Sequence, residues 1–168
     1  MTVFNMEFES IIKKIESMNE FKEWKDKHKH YYLAHAFVML DEPNKGIWQV
    51  GYYDNKTNKV ATVILEGDKI SFVPDQEILQ ASQQITELKP EDVKLTVDNA
   101  LEAAKACIKE NYPKELLLKS FFIIQHLPEG TVFNVTFLTR SFGTINIKIS
   151  TIDGKIFKHS MGRLANFS

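Results

Sequence analysis

The chain has 168 residues, which suits one domain or two small ones of about 80 residues, each burying only about 60 to 65% of its unfolded surface. Its 21 basic and 22 acidic residues leave a formal net charge of -1, which excludes a broad field for DNA, RNA or an anionic membrane. The single cysteine, Cys107, excludes an internal disulfide, and no stretch approaches the roughly 18 apolar residues of a spanning helix.

Met1 leads through Thr2, Val3, Phe4 and Asn5 into an acidic amphipathic run with no basic signal-like region. The chain therefore reads as cytoplasmic, or as extracytoplasmic with its export signal removed. Phe4, Phe8, Ile11, Ile12, Ile15 and Met18 make one stripe of a helix, with Glu7, Glu9, Lys13, Lys14 and Glu16 on its polar face. Ser17 to Glu20 has the form of a capping box opening a second short helix, with Phe21 and Trp24 on its apolar side. Strand composition follows from Tyr31 to Leu40, then turn residues from Asp41 to Gly46 that include Pro43. Further strands are expected at Ile47 to Tyr53, Lys59 to Glu66 and, after a Gly67-Asp68 turn, Lys69 to Val73. Pro74 to Lys89 is polar, Gln-rich and weakly helical, a candidate linker.

The order then recurs. Thr96 is placed to cap a helix whose stripe is Val97, Ala100, Leu101, Ala104 and Ile108, and which must stop before Pro113. Strands are expected at Ser120 to His126, Thr131 to Thr139, Thr144 to Ser150 and Lys155 to His159. This predicts an α+β protein of two repeats, residues 1–85 and 86–168, each a helix packed on its own four-stranded antiparallel meander. Parity aligns Trp48, Val50 and Tyr52 with Phe133, Val135 and Phe137, and Val60, Thr62 and Ile64 with Ile145, Ile147 and Ile149. The opposite face of the second copy is polar (Asn134, Thr136, Asn146, Lys148, Ser150), whereas that of the first would be Ile47, Tyr53, Ala61, Val63 and Leu65. Five apolar or aromatic residues on one sheet face need a cover or a partner. The covers considered are the linker, the second repeat, or an identical chain in a homodimer.

The stretches "TVDNALEAAKACIKENYP" and "GTVFNVTFLTRSFGTINIKISTIDGKIFKH" resemble a PepSY domain: an Ala-rich helix, then alternating strands closed by a Gly-Lys-Ile hairpin. The resemblance covers about Leu88 to His159, and the first half joins it through its similarity to the second. It implies a cystatin-like fold and a binding or inhibitory role, often beside secreted peptidases, and it supplies no catalytic residue.

The residues themselves carry little chemistry. His28 and His30 lie two apart in "KDKHKH", but the lysines repel a cation and no further ligand is marked. His35 lies mid-strand, His126 and His159 end strands, and Cys107 sits beside the small-residue stripe of its helix, where a buried thiol is the simpler reading. No nucleophile elbow, phosphate-cradling loop or metal signature is present. Lys22 to Tyr32 mixes lysines with Trp24, Tyr31 and Tyr32, the residue types of a single-strand nucleic-acid platform, but Trp24 fits a core stripe and the net charge offers no support. The expectation is thus no cofactor, no metal, no nucleic acid and no membrane. The reading is a non-catalytic module for a protein, peptide or small ligand; the alternative is a small enzyme with a cavity between helix and curved sheet.

Overall fold

A computed structural model describes residues 6–78 and 84–163; Phe4 and the middle of the expected linker lie outside them. Helices α1 (Phe8–Glu16) and α2 (Asn19–Lys27) are followed by strands β1 (Tyr32–Met39), β2 (Trp48–Asp54), β3 (Lys59–Glu66) and β4 (Lys69–Glu77). A short 3-10 turn at Pro90–Asp92 leads to α3 (Val97–Asn111), then β5 (Leu117–Leu127), β6 (Gly130–Thr139), β7 (Gly143–Ser150) and β8 (Ile156–Arg163).

The two expected four-stranded sheets are one. The strand order is β4-β3-β2-β1-β5-β6-β7-β8, antiparallel throughout, and β1 joins β5 from His35 opposite Gln125 to Met39 opposite Phe121. Two separate meanders would each leave an edge strand with unpaired amides and carbonyls; pairing β1 with β5 removes both edges. The fold remains α+β, but a single eight-stranded sheet replaces two helix-on-sheet units. One continuous core runs beneath all three helices, and Trp48 meets Phe122 across the junction with ring centroids 5.8 Å apart.

Register corrects the expected apolar face. Trp48 pairs with Leu65, Val50 with Val63 and Tyr52 with Ala61, and directly opposed residues share a face. Ala61, Val63 and Leu65 therefore point into the same core as Trp48, Val50 and Tyr52, and all three are buried there. The parity alignment of β3 was out by one residue, and in a strand one residue exchanges the two faces. The cover is α1, which none of the three expected covers included. Its Phe8 ring packs tilted against Trp48 with centroids 5.8 Å apart, and its Lys14 Nζ bonds Gly67 O and Asp68 Oδ1 at the β3–β4 turn.

Other local expectations divide. Thr96 caps α3, its Oγ1 accepting from Asn99 N at 3.2 Å. The capping box does not form: Met18 is the N-cap of α2, and Ser17 Oγ donates back to Lys14 O. The linker reading also changes. Pro74 sits inside β4, which an edge strand allows because its outward side needs no amide donor. Further on, Leu88 donates its N–H to Leu33 O and buries its side chain in the core.

Candidate functional site

The helix-free face holds the remaining members of the expected patch. Tyr53 is buried there, its hydroxyl donating to Asn58 Oδ1 and its ring edge-on to Tyr32, while Ile47 is half-buried just before β2. The five residues do not form one surface. A bulge between Leu33 and His35 turns His35 onto this face, where its Cα partners are Gly51 and Gln125. The imidazole lies directly on Gly51: a Cβ there would stand 2.2 Å from His35 Cε1. Burial holds the His35 pKa below its ordinary value. The surrounding Phe37, Phe121 and Ile123 are half-buried, and the Phe37 and Phe121 rings pack with centroids 5.5 Å apart.

The aromatic run around α2 is also committed internally. Trp24 packs against Phe21, Tyr31, Tyr52 and Phe72 and stacks on His28, whose Nδ1 bonds Trp24 O at 2.7 Å. His30 turns elsewhere, toward Lys56. Lys25 closes the end of α2 by donating to the carbonyls of His28, Lys29 and Tyr31. Among the described residues, no three His, Cys, Asp or Glu side chains converge on a cation position.

The most site-like concavity lies between α3 and β8. It is a groove of about 440 Å³ with Ala103, Ala106, Cys107, Glu110 and Asn111 on the helix side and Ile156, Phe157, Lys158 and His159 on the strand side. Small side chains on α3 keep the helix low, and a register shift between Lys148 and Ile149 leaves Phe157 unpaired and exposed at the rim. Cys107 forms the buried floor. Asn111 Nδ2 donates to Cys107 O at 3.0 Å and approaches Cys107 Sγ at 3.7 Å. Burial pushes the thiol pKa up, the Asn111 contact works against it, and Glu110 adds to it. At the far end Tyr112 OH and His159 Nδ1 lie 2.8 Å apart. The arrangement is a groove of mixed lining, apolar and small residues along its length and polar groups toward the Asn111–His159 end, within the volume range of small-ligand sites. Cys107 and His159 were legible as residues but not as neighbours, and Tyr112 carried no signal of its own, because α3 and β8 are distant in sequence and no local pattern marks their meeting.

Among the described residues β8 is an edge strand, paired with β7 alone. The other edge, β4, is interrupted by Pro74 and carries Asp75 and Glu77, devices that discourage strand addition. β8 contains no proline; its own edge devices are Lys158, Arg163 and the register shift at Phe157.

No known family matches the chain, and neither does any curated protein. Among solved structures it is similar to the crystal structure of a "putative lipoprotein" from Clostridium difficile 630, with a TM-score of 0.55 and 16% identity over 96% of this chain and 99% of that one. At that identity the likeness shows the fold alone, along nearly the whole of both chains. No helix among the described residues is long and apolar enough to cross a membrane.

Proposed function

We propose that the protein is a non-catalytic binding module that receives an extended peptide segment at β8, with an apolar side chain of the ligand seated in the α3–β8 groove. The observation carrying this reading is the coincidence of an unpaired edge strand with a trough beside it. Strand addition supplies main-chain hydrogen bonds, and an adjacent pocket supplies selectivity. Glu110, Asn111, Lys158 and His159 sit at the groove to bond the ligand's polar atoms. Burial pushes the Cys107 thiol pKa up, the opposite of what an activated cysteine nucleophile needs, so in this groove the side chain serves as packing. An inhibitory role of the PepSY kind falls within the same class: recognition without chemistry. The structural neighbour's description as a lipoprotein favours the extracytoplasmic alternative for this chain, which cell fractionation would test.

The test is selection of peptides from a displayed library on the full chain, followed by amide resonance mapping. Selected peptides should shift β8 and α3, and Ala106→Trp, which fills the groove from an exposed helix position, should weaken them at least tenfold with thermal unfolding unchanged. Peptides that shift only other elements, or that bind Ala106→Trp as well as the parent, refute the assignment.

A further inference from the structure

The end of the sheet where β5 begins carries apolar surface that the core does not use. Leu116, Leu117 and Leu118 are 60%, 39% and 53% exposed, and Phe142 is 73% exposed. Two segments are stitched together to make this tip. Arg140 N donates to Leu116 O at 2.8 Å, Leu117 is the Cα partner of Thr139, and Ser141 Oγ donates to Glu115 Oε2 at 2.7 Å.

Neither packing nor backbone preference accounts for Phe142. It occupies the left-handed region with φ 59°, where a bulky side chain is unfavourable and Gly or Asn is ordinary. An outlier of this kind, on a side chain pointing into water, is a pointer to function. Leu117 lines a hollow of about 280 Å³ beside Ile108, Tyr112 and Pro113 of the α3 side, and the register shift past Leu117 sets Lys119 opposite Leu138, whose strand position belongs to the helix-free face. Exposed apolar side chains with cations beside them are the combination that holds a protein at a lipid interface.

Charge points the same way. Lys114, Lys119 and Arg140 flank the apolar groups, all exposed and, among the described residues, without an ion pair. Arg163 closes β8 opposite Gly143 at the same end. Two acids lie close by: Glu115 is engaged by Ser141, and Asp41 Oδ2 accepts from Ser120 N beside Lys119. The near-neutral charge of the whole chain conceals this local excess of cations.

We propose that this tip docks on an anionic lipid bilayer, with Leu116, Leu117, Leu118 and Phe142 entering the boundary between headgroups and acyl chains and Lys114, Lys119 and Arg140 meeting the lipid phosphates. This is peripheral attachment, not spanning. Each basic residue near such a surface contributes about a fivefold gain in partitioning, so the three together give roughly a hundredfold preference for anionic over neutral lipid at low salt.

The experiment is co-sedimentation of the full chain with phosphatidylcholine vesicles, with and without phosphatidylglycerol, across a salt series. Binding should require phosphatidylglycerol and fall with salt. Phe142→Gly, which relieves the backbone, should keep or raise the unfolding temperature yet reduce binding about fivefold or more, since a buried aromatic ring carries that much transfer free energy. Lys119→Glu combined with Arg140→Glu should abolish binding, and a Phe142→Trp variant should show blue-shifted emission on the vesicles. Absence of binding to anionic vesicles, equal binding to neutral ones, or unshifted Trp emission overturns the proposal. So does a concentration-dependent dimer that Phe142→Gly converts to monomer, which would assign the tip to a second copy of the chain.

Discussion

Trp48 tests the architecture at its centre. Its side chain is fully buried, and its ring lies 5.8 Å from Phe8 of α1 and 5.8 Å from Phe122 of β5, so one indole joins the helix layer to both halves of the sheet. Trp48→Ala should cost about 3 to 5 kcal/mol, as large aromatic deletions in cores do, against a total stability of about 5 to 15 kcal/mol. With a urea slope of about 2 kcal/mol/M, the midpoint should fall by about 1.5 to 2.5 M at unchanged slope. Among the described residues the indole Nε1 has no hydrogen-bond partner, and a buried unbonded donor costs about 1 to 3 kcal/mol. Trp48→Phe removes that donor while opening a smaller void, two effects of opposite sign, and should stay within about 1 kcal/mol of the parent. Urea unfolding followed by far-ultraviolet circular dichroism reads both variants. A midpoint shift below about 0.5 M for Trp48→Ala, or equal damage from the two substitutions, would refute a junction role for this ring.

The register of β3 separates two neighbouring lysine substitutions. Val63→Lys places a charge in the core and should abolish cooperative unfolding, whereas Thr62→Lys, on the helix-free face, should cost less than about 1 kcal/mol; the reverse order would restore the discarded parity. Gly51→Ala drives a methyl into the His35 ring and should destabilise clearly, and His35→Ala should recover part of the loss in a double-mutant cycle. Because burial lowers the His35 pKa, the folded state takes up its proton later than the unfolded chain does. Its contribution is complete above the unfolded value of about 6.5 and is lost as pH falls toward the lower folded value; His35→Gln should flatten that part of the stability profile. Tyr31, pushed up to about 12 by burial and by its 2.6 Å bond to Asp75, works in the opposite sense. Its contribution is complete below about pH 10 and lost as pH rises toward 12, so Tyr31→Phe should weaken the alkaline decline in denaturant midpoint.

Local chemistry was legible because it is set within a few residues. Apolar spacing identifies α1 and α3, Thr96 marks the start of α3, and alternating runs bounded by turn residues locate the strands to within a few positions. What failed was relational. Periodicity says that Ala61, Val63 and Leu65 share a face but not whether that face also holds Trp48, since the answer depends on how many residues the turn between β2 and β3 consumes, and one residue reverses it. The capping box at Ser17 failed because the chain spends that hydroxyl on the end of α1 and not on the start of α2. The pairing of β1 with β5, the seating of His35 on Gly51, and the approach of His159 to Tyr112 all bring together residues far apart in the chain. Side-chain alternation is a property of a single strand, readable from sequence; which strand lies beside it is settled by the burial of edges and the packing of one shared core, and that exists only in the folded molecule.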